Sequence, residues 1–343
     1  MKIGIIGLEF AGKKTLMRIL SNEGKNIVKK GSLELSTTQV VDPRIEFLSN
    51  LYKPKKTTFA RLEFVLTPSI TGDEKKDKEI FSLLNGVDGL ILILRDFCLE
   101  GLPDPSPEKN FHNIKENLII NDLIKLESIT EKFNKRHQKS TDMSVENEKN
   151  LIEKCKKHLE KGLMLFTLQL TEFEESIIKN FDFLSRKPMY VLVNVSEDKI
   201  QKELLFNFDS IFYSSISLGI EEEIFRLEKS EQEEFLLSLG LKEPALNRVI
   251  RDCYRMLDLI SFFTTGEDEV KAWTVKRGTN ARSAAGTIHS DMERGFIRAE
   301  VISYDDFVKA GSEKEAKKLN LYRLEGKDYI VQDGDIIHFR FNV

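Results

Sequence analysis

The chain has 343 residues, long enough for two or three domains that each bury a core, and its 41% hydrophobic, 31% charged and 9% aromatic residues are ordinary for a globular protein. A formal net charge of -4 leaves no global field that would draw the chain to nucleic acid or membrane, so any such contact must rest on a local patch. Cys98, Cys155 and Cys253 lie far apart, with no CxxC pair, which argues against a disulfide framework or a zinc site and fits a reducing compartment.

The first apolar run, Lys2 to Ile6, is cut by Gly7 too early for a secretory signal, and no stretch approaches the roughly 20 apolar residues that span a bilayer. A cytoplasmic protein without a membrane partner is expected. That first run, a turn at Gly12 and a helical segment from Lys13 to Ser21 read as strand, glycine loop and helix. The runs Leu62 to Leu66, Gly89 to Leu94 and Met189 to Val193 have the length and flanks of buried parallel strands. Strands alternating with helical segments predict a doubly wound, mainly parallel α/β domain.

Between Asn110 and Glu160 the composition turns to Lys, Glu, Asn and Leu without proline. Apolar residues recur there at helical spacing: Ile114, Leu118, Leu123, Leu126 and Ile129, then Leu151, Cys155 and Leu159. Two antiparallel helices are predicted, with the polar stretch Arg136 to Asn150 as the tip and Pro103, Pro105 and Pro107 marking the exit from the α/β domain. A helix is expected over Glu243 to Leu259. From Ser261 onward short alternating runs, Val270 to Val275, Phe296 to Ile302, Tyr329 to Val331 and Ile336 to Phe341, predict a small β-rich domain. The expected organisation is a nucleotide-binding domain in two parts, 1–107 and 166–260, an inserted helical hairpin over 108–165, and a terminal domain over 261–343.

Gly7-Leu8-Glu9-Phe10-Ala11-Gly12-Lys13-Lys14 matches the phosphate-loop pattern G-x-x-x-x-G-K-[ST] at every fixed position but the last. The glycines let backbone N–H groups turn toward phosphate oxygens, Lys13 supplies charge at the β and γ positions, and the helix adds its positive end. Gly7, Phe10, Ala11, Gly12, Lys13, Lys14 and Thr15 are therefore the candidate phosphate-binding residues. The departure at Lys14 is chemical: the motif wants a hydroxyl for Mg²⁺, and an ammonium repels a metal. Thr15 offers a hydroxyl one residue on, turned about 100° around the helix, where it faces the α-phosphate. The D-x-x-G that would complete a magnesium shell is also missing, because the matching strand end reads Leu66-Thr67-Pro68-Ser69. Two losses on one ion predict weak dependence on magnesium and slow or absent hydrolysis, with Lys14 neutralising phosphate charge directly. No catalytic residue is assigned; His112, His137, His158, His289 and His338 are scattered.

Asn194-Val195-Ser196-Glu197 stands where common GTPases carry N-K-x-D, with Lys187-Pro188 before the strand and Asp198 after. Together with Ala272-Trp273-Thr274, Ala284 to His289, Gly295 to Val301, Tyr304 to Phe307 and Arg323 to Asp335, this resembles the YchF family of Obg-like ATPases, whose chains end in a TGS domain. The resemblance implies a β-grasp fold for 261–343, and ATP or GTP as ligand with ATP preferred. It also implies that Asn194 contacts the purine, with Val195 and Glu197 beside it and Glu197 no longer demanding guanine. Ser196 can at the same time cap a helix at this strand-to-helix turn. Departures from the family pattern fall at Lys14, Leu66 and Ser69, in a short first switch over Lys30 to Asp42, and loosely at Ser217-Leu218-Gly219.

Family members associate with ribosomes, so a ribosome or RNA partner is implied, for a chain expected to be monomeric. Lys132, Lys135, Arg136 and Lys139 on the hairpin and Lys276, Arg277, Arg282, Arg294 and Arg298 near the C-terminus fit an RNA-facing role. The hairpin is equally rich in glutamate, which favours a solvated helix face for its lysines. Two functions stay open: a nucleotide-controlled ribosome-binding factor, favoured by Gly7, Gly12 and Lys13, and a non-enzymatic adaptor that has lost nucleotide binding, favoured by Lys14 and Leu66.

Overall fold

The computed structural model describes residues 1–21, 27–136 and 143–342. In chain order the first elements are β1 (Lys2–Gly7), α1 (Lys13–Leu20), β2 (Val28–Lys30), β3 (Leu33–Gln39), α2 (Pro43–Tyr52), β4 (Lys56–Thr58), β5 (Arg61–Leu66), α3 (Glu74–Ser82) and β6 (Gly89–Asp96). Then come α4 (Pro107–Arg136), α5 (Met143–Leu159), α6 (Glu172–Ile178), β7 (Met189–Val195), β8 (Tyr213–Ile216), α7 (Leu218–Arg226), α8 (Lys229–Ser238) and α9 (Ala245–Met256). The chain closes with β9 (Leu259–Thr264), β10 (Glu269–Lys276), α10 (Ala281–Ile288), α11 (Ser290–Arg294), β11 (Phe296–Ser303), α12 (Tyr304–Ala310), α13 (Glu313–Lys318), β12 (Arg323–Glu325) and β13 (Asp335–Phe341). Two compact units result: residues 1–37 with 63–246, and residues 38–62 with 247–343.

The first unit is built on a sheet of order β2-β3-β5-β1-β6-β7-β8. From β5 to β8 every neighbouring pair runs parallel, and the strands read as unbroken apolar runs because both faces are covered. Ile3, Ile5, Ile6, Leu90 to Ile93 and Tyr190 to Val193 are all fully buried. Since β1 lies between β5 and β6, the chain leaves the carboxyl ends of β5, β1, β6, β7 and β8 along one edge, the crevice where doubly wound sheets place ligands.

Both hairpin helices form. Ile114, Leu118, Leu126, Leu151, Cys155 and Leu159 are buried in the core of this unit, while Leu123 and Ile129 pack against it half-buried. Helix α5 already begins at Met143, so the tip is shorter than the polarity of Arg136 to Asn150 suggests; 137–142 lie outside the described residues. Asp122 pins α4 to the domain: its carboxylate, fully buried, accepts from the Leu184 N–H (3.1 Å), the Ser185 N–H (2.7 Å) and the Ser185 hydroxyl (2.6 Å).

The second unit has a sheet of order β12-β11-β13-β9-β10-β4, with β13 parallel to β9 and antiparallel to β11, and α10 over its core. This is the β-grasp arrangement. The apolar run Leu259–Thr264 forms β9 where the sequence reading continues a helix to Leu259, and α9 stops at Met256. Tyr329 to Val331 makes only an isolated bridge, Ile330 to Asn280, in place of the expected strand. The segment 38–62 belongs to this unit: β4 pairs in parallel with β10, and the Thr58 hydroxyl donates to Glu269 at 2.5 Å. Arg44 donates to Asp42 and Asp333, and Asp333 in turn accepts from the Ser261 N–H.

Candidate functional site

Five loops at the carboxyl edge of the parallel sheet converge on a cavity of about 1470 Å³. Glu9 to Thr15 come from the turn after β1, and Leu66 to Ser69 from the end of β5. Phe97 to Leu99 follow β6, Asn194 to Lys199 end and follow β7, and Ser217 to Gly219 open α7. Phe10, Ala11, Gly12, Lys13, Lys14, Thr15, Asn194, Val195 and Glu197 line this one cavity; Gly7 supplies the strand end from which the loop departs.

Two glycines are required by the backbone. A Cβ on Gly7 would meet the Ile93 carbonyl oxygen at 2.5 Å, so the loop leaves β1 pressed against β6. Gly12 sits in the left-handed region at φ 104°, and a Cβ there would meet Asn194 Nδ2 at 2.5 Å and Leu218 at 2.7 Å. Asn194 explains that crowding. Its amide donates to the Ala11 carbonyl (3.1 Å), and its side-chain oxygen accepts from the Leu218 N–H (3.1 Å). Asn194 and Val195 are the last residues of β7 itself, so a rigid strand holds the phosphate loop and the start of α7 in fixed register.

Lys13 is only 6% exposed and uses its three donors on the Gly7 carbonyl (2.8 Å), the Leu8 carbonyl (2.6 Å) and the Ser69 hydroxyl (2.9 Å). None of these acceptors is charged. Burial pulls its pKa down to about 8, with the neighbouring Lys14 ammonium acting in the same direction and the Glu9 carboxylate against it. Ser69 was not among the expected site residues, because the family pattern marks its position only as a missing glycine.

Lys14 is exposed on the cavity wall, Thr15 is half-buried beside it, and Leu66 is buried. The Thr67 hydroxyl turns back to the Ile5 carbonyl at 3.3 Å. Glu197 is exposed at the rim. Ser196 caps no backbone N–H; its hydroxyl donates to Asp198 at 2.6 Å, which with Lys202 holds that carboxyl below its ordinary range. Lys199 closes the same turn on Asp96 at 2.9 Å. The first-switch segment over Lys30 to Asp42 is largely strand β3, and Asp42 caps α2.

The basic residues are more fully engaged than their number implies. Arg277 pairs with Asp258, Arg294 with Asp291, and Arg282 donates to the Glu293 carbonyl, while Lys276 and Arg298 are exposed. Lys132, Lys135 and Arg136 are exposed at the far end of α4; Lys139 lies outside the described residues. Among the described residues no helix is long and apolar enough to cross a membrane.

Residues 259–342 match the family YchF-GTPase_C, described as a protein of unknown function (DUF933). The whole chain is 37% identical over 363 aligned residues to the ribosome-binding ATPase YchF of Haemophilus ducreyi, covering 100% of this chain and 99% of that protein. It is 34% identical over 364 to the protein of the same name from Bacillus subtilis, covering 99% of each. The fold superposes on the Schizosaccharomyces pombe YchF GTPase with a TM-score of 0.85 at 26% identity, over 99% of this chain and 97% of that one. A glycine loop braced by the strand that ends in Asn194 and Val195, a β-grasp unit, and likeness along its full length together place the chain in the YchF family.

Proposed function

We propose that the chain is an ATP-binding, ribosome-associated regulatory factor whose nucleotide site works with little help from magnesium and turns over slowly or not at all. The observation that carries the reading is the loop itself: Gly7 and Gly12 are held where no Cβ fits, and Lys13 is buried with its three donors on neutral acceptors, among the described residues forming no ion pair and feeling the Glu9 carboxylate only from a distance. A buried ammonium bonded only to neutral acceptors favours an incoming anion, and a row of loops at the carboxyl edge of the sheet is where such an anion binds.

The residues present do not fit a magnesium shell. Leu66 offers no oxygen, Lys14 puts a positive charge where a hydroxyl ligand belongs, and the hydroxyls of Thr67 and Ser69 are bonded to Ile5 and Lys13. Phosphoryl transfer depends on charge neutralisation and positioning, so a site without that shell supports binding better than turnover. Asn194 would present the strand end to the purine while bracing the loop, and Val195 and Glu197 would line the base side. The ribosome as partner rests on the relatives, which are named ribosome-binding ATPases.

Calorimetric titration of the full chain with ATP and GTP tests the nucleotide part; saturable heat with ATP exceeding that with GTP is expected, and no heat with either would leave the adaptor. Co-sedimentation with purified ribosomes, with and without ATP, tests the partner. Absence from the ribosome pellet under both conditions would remove it.

A further inference from the structure

The three donors of Lys13 are all in use, so a phosphate can reach this ammonium only by displacing one of its partners. Two of these are carbonyls of the loop itself. The third, Ser69 Oγ, belongs to the segment after β5 and, among the described residues, is the one hydrogen-bond partner that joins this lysine to another loop. The same segment is tied a second time, because the Ile70 N–H donates to the Gly7 carbonyl at 3.1 Å. Among the described residues no acceptor takes the Ser69 hydroxyl proton.

We infer that Ser69 is a positioning residue that reads the terminal phosphate: its hydroxyl accepts from Lys13 when the site is empty and donates to a γ-phosphate oxygen when a nucleoside triphosphate takes Lys13. The inference rests on the nucleotide reading above. A hydroxyl can serve both states because it is acceptor and donor in one group. A γ-oxygen bound to Lys13 takes the place Ser69 occupies within 2.9 Å of the ammonium, which brings it within reach of the displaced hydroxyl. A diphosphate leaves that place empty, and Ser69 keeps its contact with Lys13. The device needs no metal, in keeping with Lys14 and Leu66.

The consequence passes along the chain. The Thr71 and Gly72 N–H groups donate to Asp77 in α3 (2.8 and 2.9 Å), and Asp73 caps that helix, so a shift of Ser69 is delivered within a few residues to α3.

The test is a titration of the full chain and of Ser69→Ala and Ser69→Thr with a non-hydrolysable ATP analogue and with ADP. A hydrogen bond to a charged phosphate predicts that Ser69→Ala lowers affinity for the triphosphate about tenfold or more while ADP stays within about twofold, and that Ser69→Thr restores the ratio. A triphosphate-to-diphosphate ratio unchanged in Ser69→Ala, whatever happens to the two affinities, overturns the role of Ser69 and leaves nucleotide binding standing. No binding of either nucleotide to the unaltered chain overturns both.

Discussion

Lys13 illustrates how a single residue sets the behaviour of the site. Its burial disfavours the ammonium and brings its pKa to about 8, whereas phosphate favours the ammonium, so nucleotide binding takes up a proton near that pH. Affinity for ATP should hold from pH 6 to 7.5 and fall as pH rises past about 8, by at most about tenfold per unit; titrations across that range check this, and Lys13→Met should lose binding at every pH. The sign for folding is opposite. The unfolded chain keeps its proton up to the ordinary lysine pKa of 10.5, so between 8 and 10.5 the unfolded state holds more protons and this residue's contribution makes the protein more stable as pH rises.

Gly12 is constrained both by its own backbone and by the side chain packed against it. Alanine there meets both a left-handed backbone and the Asn194 amide, so Gly12→Ala should cost about 1–3 kcal/mol in urea unfolding and abolish nucleotide binding. The phosphate loop was legible because phosphate geometry dictates its spacing. The brace by Asn194 was not, since its partners Ala11 and Leu218 lie 183 and 24 residues away and only the folded sheet brings them together.

Among the elements, the hairpin was readable from periodicity because its apolar stripe must face one core along its whole length. What fastens it was not readable. Asp122 sits in the stripe as a polar residue, and it becomes intelligible only when Leu184 and Ser185 present three donors to it. Asp122→Ala would strand those donors in a dry interior and should destabilise the chain by about 3 kcal/mol, seen as a lower urea midpoint with an unchanged slope. Strand β9 is not legible for a related reason: its run Leu259–Thr264 follows α9 almost directly, and a short apolar run reads equally as helix end or buried strand.

For the whole molecule, the chain leaves the first unit at Thr38, builds α2 and β4 into the second, and returns at Glu63. No local signal announces this detour, since β4 has three residues and its partner β10 lies more than 200 residues downstream. It follows that residues 247–343 alone expose an unpaired β10 edge and lack the Arg44 to Asp333 pair. That fragment should melt lower than the same fragment mixed with a peptide of residues 38–62; equal melting temperatures would show that the segment adds nothing.

Lys14 and Leu66 together remove the usual magnesium ligands, so nucleotide binding should not depend on the metal. The ATP affinity of the full chain, measured by calorimetry in magnesium and again in EDTA, should differ by no more than about threefold, while Lys14→Ser with Leu66→Asp should bind more weakly in EDTA than in magnesium by about tenfold or more, having regained both ligands. Affinity of the unaltered chain that collapses on chelation would show instead that magnesium is held at this site.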